Sequence, residues 1–162
     1  SLLGVEVAWP RPEDLLLVLC LHGCKHRWGE VKWVVDVAEL IRARPDLNWS
    51  LLMETARHAG SYRMVGLGLL LASHLLGAAV PVSVIERIRA TPPICALADE
   101  VCHELFDAPR KPDADPRLFS FLARAADRII MRLSFRILPL GYVLMRRLVR
   151  PGMAALRRAM PD

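Results

Sequence analysis

The spacing of the apolar residues is the feature of this sequence that most constrains its fold. After Val7, apolar side chains recur every three or four positions, whereas a half-buried strand requires strict alternation. Hydrophobic residues make up 54% of the chain, which is enough to offset the entropy of ordering a packed core. The sequence therefore predicts an all-α fold, an irregular multi-helix bundle with a basic C-terminal helical extension.

Proline, acidic residues, asparagine and glycine mark the predicted helix ends. Pro12 followed by Glu13 and Asp14 is typical of a first helical turn, where the helix dipole favours acidic side chains. Asn48 is a suitable N-cap, and Gly29 can adopt the left-handed backbone that closes a helix. These signals predict helices over residues 12–26, 30–43, 49–58, 62–76, 81–89 and 94–106. The helix over residues 62–76 is apolar nearly all round, which predicts a central position.

The domain organisation is predicted from composition and charge. A polar stretch containing prolines, residues 107–116, divides a bundle domain (residues 1–106) from an Arg-rich amphipathic tail (residues 117–162). The tail holds ten arginines against two aspartates, and we predict helices over residues 117–137 and 140–158. Residues 1–7 read as an edge strand that belongs with a preceding segment, so we expect the chain to be a fragment of a longer protein.

The basic tail has two interpretations. Residues 135–159 alternate apolar and arginine side chains, a composition that suits an anionic membrane surface. The simpler alternative is that the apolar face packs back on the bundle, as amphipathic helices in bundles do. No aromatic stacking platform or base-reading motif accompanies the arginines, which argues against nucleic acid binding.

Cysteine usage bears on the compartment. Four cysteines at these spacings fit no zinc knuckle, so we predict free thiols in a reducing compartment, the cytoplasm, with peripheral membrane binding by the tail as a further expectation. The sequence shows no secretory signal and no apolar run long enough to span a bilayer. The cysteines are Cys20, Cys24, Cys95 and Cys102.

The densest polar segment lies at residues 22–36. His22, Lys25 and His26 share one helix face, and Asp36 lies on the next helix. Three roles remain open for this segment. It could hold zinc or iron through the two histidines and Asp36. The histidines could instead cap the helix and hydrogen bond to Asp36, with the tryptophans packed around them. Lastly, the cationic side chains could bind a phosphate or carboxylate group.

The segments LCLHGCKHRW at residues 19–28 and VKWVVDVAEL at residues 31–40 resemble the C-terminal helical region of the uncharacterised bacterial nucleotidyltransferase-like family. Further similarity lies at residues 46–49, 56–61, 67–78 and 146–151. The resemblance implies an upstream catalytic core, a mixed sheet whose paired aspartates bind Mg²⁺ and a nucleoside triphosphate. These residues contain no such core, no nucleophile elbow and no phosphate loop, so we expect this chain alone to be inactive.

The resemblance thus implies a helical accessory domain that supports nucleotide or acceptor-substrate binding. The substrate-binding residues that we predict are His22, Lys25, His26, Arg27, Trp28, Trp33 and Asp36. Two alternatives remain: a stand-alone interaction module that binds a protein or an anionic membrane through its tail, and a metal-dependent enzyme that uses the two histidines with Asp36.

Overall fold

A computed structural model describes residues 10–107 and 117–127. Within these two ranges the chain forms seven α-helices and no strand, which confirms the all-α prediction. The helices are α1 (Pro12–Lys25), α2 (Val31–Ala43), α3 (Trp49–His58), α4 (Tyr62–Leu76), α5 (Val82–Arg89), α6 (Pro92–Phe106) and α7 (Leu118–Ala125).

The predicted helix ends follow from identifiable local interactions. Pro12 occupies the first helical position of α1, with Glu13 and Asp14 in its first turn. The side chain of Asn48 accepts a hydrogen bond of 3.0 Å from the backbone N–H of Leu51 and so caps α3. Gly77 ends α4 with a left-handed backbone (φ 62°). The predicted bounds of α3 and α4 are confirmed, and those of α1 and α2 differ by one residue.

The fourth helix forms the centre of the bundle, as its sequence predicts. Its residues from Met64 to Ala72 are all buried, and it packs against α1, α2, α3, α5 and α6. Gly66 and Gly68 lie in this buried stretch, where side chains of neighbouring helices approach the backbone closely. Both glycines therefore serve helix packing.

Glu13 joins the start of α1 to the start of α3. Its side chain is buried, and its Oε1 accepts a hydrogen bond of 2.7 Å from the backbone N–H of Asn48. That N–H precedes the first turn of α3 and has no partner within the helix, so the carboxylate satisfies it. The first turn of α1 therefore fixes where α3 begins.

The last described helix, α7, packs against α1 and α6, with Phe121 fully buried in the core. It ends at Ala125 because Ala126 is extended (φ −81°, ψ 140°), short of the predicted end at residue 137. The opening strand, residues 108–116 of the linker and the tail from residue 128 lie outside the described residues. Within the described ranges, no helix is both long and apolar enough to cross a membrane.

Candidate functional site

The corner between α1 and α2 has an unusual backbone. Arg27 and Trp28 both have left-handed conformations (φ 50° and 53°), which L-residues with a side chain adopt at a cost of about 1 kcal/mol or more each. The prediction that Gly29 supplies the left-handed turn is wrong, because the two residues before it do so. Tertiary contacts must hold this corner.

Trp28 is the first of these contacts. Its side chain is fully buried between α1 and α4, where the two facing residues are Gly23 and Gly68. A methyl group at Gly23 would lie 2.5 Å from two carbons of the indole, and one at Gly68 would lie 3.0 Å from it. The indole Nε1 donates to the Cys24 Sγ at 3.4 Å. Two glycines therefore leave the space that the indole fills.

Arg27 is the second contact. Its side chain is 1% exposed, and its Nη2 donates to Glu100 Oε1 at 3.1 Å and also to Glu104. The guanidinium lies 5.4 Å from the centre of the Phe121 ring, within cation–π range. Glu100 also accepts from Arg124 at 2.7 Å. The corner is thus tied to α6 and α7 by a network of buried and half-buried charges.

The side chains of Arg27 and Trp28 point into the bundle, whereas those of Lys25 and His26, just before them, lie at its surface. The rings of His22 and His26 lie 4.6 Å apart, and both contact Trp33 of α2. His26 stacks on the indole at 5.1 Å with a 17° interplanar angle, whereas His22 meets it edge-on at 4.6 Å. The three rings form one aromatic cluster across the corner.

Positive charge surrounds this cluster. Lys25 is exposed next to it, and the Lys32 Nζ lies 4.6 Å above the Trp33 ring while it pairs with Glu30 at 2.6 Å. The pKa of His26 is lowered, first by partial desolvation and then by the charges of its neighbours His22 and Lys25. His26 is therefore neutral near pH 7. We call the set His22, Lys25, His26, Lys32 and Trp33 the corner surface.

The structure divides the seven predicted site residues into three groups. His22, Lys25, His26 and Trp33 lie on the corner surface, whereas Arg27 and Trp28 are buried in the bundle. Asp36 is exposed on α2, and among the described residues no hydrogen bond or ion pair joins it to either histidine. Likewise, no three His, Cys, Asp or Glu side chains of the described residues come together as metal ligands would.

Sequence reasoning missed two parts of this arrangement. Lys32 belongs to the corner surface, and its position directly before Trp33 was the available signal. Glu100 and Glu104, which hold Arg27, lie more than 70 residues further along the chain, and no local pattern connects them to the corner.

The first part of the chain is similar to a known protein family. Residues 2–77 match the family described as uncharacterised nucleotidyltransferase. The predicted resemblance to this nucleotidyltransferase family is thereby confirmed over α1 to α4, which include the whole corner surface. The resemblance predicted at residues 146–151 lies outside the matched range. No curated protein and no solved structure matched the chain.

Proposed function

We propose that this chain is a helical accessory domain of a nucleotidyltransferase-like protein, and that its corner surface binds nucleotide or acceptor substrate for an upstream catalytic core. The observation that carries the proposal is the family match over residues 2–77, because it contains every residue of the corner surface. The geometry of that surface provides the physical support.

An aromatic cluster next to lysines suits a nucleotide. The exposed His26 ring, which stacks on Trp33, offers an aromatic surface to a base, and stacking of one base on an aromatic side chain contributes about 1–3 kcal/mol. The ammonium groups of Lys25 and Lys32 are compact charges that attract phosphate oxygens, and that of Lys32 also pairs with Glu30. A base against the rings and phosphates towards the lysines would use both features.

A neutral His26 adds selectivity to this surface. Because its pKa is lowered, the imidazole keeps one N–H donor and one nitrogen acceptor near pH 7. Such a ring can exchange hydrogen bonds with a base edge or a hydroxyl group, whereas an imidazolium could only donate. The electrostatic attraction for phosphate then comes from the lysines.

Among the described residues, no three His, Cys, Asp or Glu side chains come together as a metal site would require. The metal chemistry of nucleotidyl transfer therefore belongs, in this proposal, to another part of the protein. In this proposal Mg²⁺ and the nucleoside triphosphate are held by the upstream core, and this chain orients the bound substrate. The buried thiols Cys20 and Cys24 suit a reducing compartment such as the cytoplasm.

Calorimetric titration of this chain with ATP and MgCl₂ tests the proposal. We expect saturable binding that His26→Ala weakens by about tenfold, a loss equivalent to about 1.4 kcal/mol. His58→Ala is the matched control, since His58 is an exposed histidine on α3 that lies beside Glu54 and away from the corner surface. Absence of binding, or equal losses in the two variants, would remove the corner surface from nucleotide recognition.

A further inference from the structure

A cleft lies between α3 and α5, away from the corner surface. It is a cleft of about 560 Å³, a volume typical of small-molecule sites. Glu13 contacts Asn48 at the start of α3, which places the α3 end of the cleft beside the first turn of α1. His22 lies nine residues further along α1, about 13 Å along the helix axis. The two sites are therefore distinct.

The cleft has an apolar floor. Met53 of α3 and Val84 of α5 are each 4% exposed and form its base, and the half-buried Trp49 and Pro81 extend the apolar lining. A ligand that enters the cleft can therefore bury an apolar group of modest size. This floor would favour an aromatic or short aliphatic body.

The rim of the cleft is mainly cationic. Arg57 and Arg87 both line it, and within residues 10–107 and 117–127 neither makes an ion pair with a carboxylate. Arg87 is held against its own helix by a hydrogen bond of 3.1 Å from Nε to the Ser83 carbonyl, and Arg57 lies 4.8 Å over the Tyr62 ring. Two oriented guanidinium groups thus face the same cleft.

One carboxylate also lines the rim. Glu54 lies 3.7 Å from His58, an ion pair that forms when the histidine is protonated. Two guanidinium groups against one carboxylate leave a net positive rim. Guanidinium groups bind carboxylate and phosphate oxygens through paired hydrogen bonds, so an anionic head group is the matching ligand chemistry.

We infer that this cleft is a binding site for a small amphiphilic anion, a molecule with one aromatic or aliphatic body and one carboxylate or phosphate group. The apolar body contacts Met53 and Val84, and the head group pairs with Arg57 and Arg87. This site is independent of the proposed nucleotide-binding role.

Phenyl phosphate and phenylacetate are the probes, and each is titrated into the whole chain by calorimetry. We expect saturable binding of at least one, which also tells whether the head group is phosphate or carboxylate. Benzyl alcohol lacks the anionic head group and inorganic phosphate lacks the apolar body, so each should bind at least tenfold more weakly than the aromatic anion. Failure of both aromatic anions to bind would overturn the inference.

Variants at exposed positions locate the binding. Arg57→Gln and Arg87→Gln should each lower the affinity for the probe by about tenfold, the order expected for the loss of one charge-assisted hydrogen bond. Glu54→Gln should tighten it severalfold, because it removes the opposing charge. Arg42→Gln, at an exposed arginine of α2 paired with Glu39, should change nothing.

Two further results separate this site from the corner surface. Ser83→Trp, which adds a large side chain at an exposed position of the rim, should abolish probe binding with the circular dichroism unchanged. His26→Ala should leave probe binding intact. Probe binding that survives Ser83→Trp and both arginine variants would show that the anion binds elsewhere, and would contradict the inference.

Discussion

The Nη2 of Arg27 lies 3.1 Å from the Oε1 of Glu100, although 73 residues separate the two along the chain. Arg27 belongs to the family-matched residues 2–77, whereas Glu100 lies on α6, outside them. The left-handed corner that exposes His26 is therefore stabilised by a helix that the family match does not include.

Loss of this buried charge should be costly. Arg27→Met removes the guanidinium but leaves Glu100 and Glu104 at a half-buried site. Breaking a buried pair typically costs 3–5 kcal/mol, and we expect about 3 kcal/mol because Glu100 keeps some solvent and its contact with Arg124. The change in unfolding free energy in urea measures it.

Arg42→Met is the control for that substitution. Arg42 pairs with Glu39 on the exposed face of α2, where an ion pair contributes about 0.5 kcal/mol or less. Equal destabilisation by the two variants would show that burial of Arg27 does not contribute to stability.

The glycine that faces Trp28 should not tolerate a methyl group. Gly23→Ala would put Cβ 2.5 Å from the rigid indole, so we expect a loss of about 2–3 kcal/mol although alanine favours helices. Gly66→Ala is the comparison, because its nearest contact is the flexible end of Ile94 at 2.8 Å, and we expect less than about 1 kcal/mol. Thermal unfolding measures the loss of stability in both variants. A larger loss for Gly66→Ala than for Gly23→Ala would contradict the packing described.

The hydrogen bond from Asn48 to Glu13 predicts a local effect. Glu13→Ala leaves the backbone N–H of Asn48 without its acceptor, which should cost about 1–2 kcal/mol and speed amide exchange at the start of α3. Asp14→Ala, which removes only an exposed pair with Arg11, should have little effect on either quantity. Unchanged exchange in the Glu13 variant would show that the carboxylate does not hold α3.

Local signals were enough to predict most of the helices. Pro12 and Asn48 act within one turn of the residues they affect, so each can be recognised in a short window of sequence. The burial of α4 was equally visible, because an all-round apolar helix has no polar face to expose.

The candidate site was only partly predictable, because its geometry depends on contacts between residues that are far apart in the sequence. Helical periodicity places Lys25 and His26 on the surface. It cannot predict where the side chains of Arg27 and Trp28 point, because these two residues have left-handed backbones and lie outside the helix. Arg27 is buried because it donates to Glu100 and Glu104, and Trp28 is buried because Gly68 leaves space for its ring. These partners lie 40 to 77 residues away along the chain. A pattern read along the chain cannot contain such contacts.

The charges around His26 predict opposite shifts in its pKa. Lys32→Gln removes a neighbouring cation and should raise the pKa of His26, whereas Glu30→Gln removes an anion and should lower it further. Titration of the imidazole resonances by NMR measures both. Shifts of the same sign would show that these side chains do not surround the ring as described.

The same lowered pKa predicts a pH dependence of stability. The unfolded chain binds this proton at the ordinary pKa of about 6.5, and the folded chain binds it less readily. The contribution of His26 to stability is therefore present above that value and falls as the pH drops towards the folded-state pKa. His26→Gln should flatten the unfolding free energy in this window, and an unchanged slope would contradict the shift.

The most direct test of nucleotide binding at the corner surface follows the tryptophan indole N–H resonances while ATP and MgCl₂ are added. Trp33 lies on the corner surface, Trp28 is buried in the bundle, and Trp49 lines the separate cleft. The proposal predicts a saturable shift of the Trp33 resonance with that of Trp49 unchanged. A shift of Trp49 alone, or none at all, would contradict a nucleotide site on the corner surface.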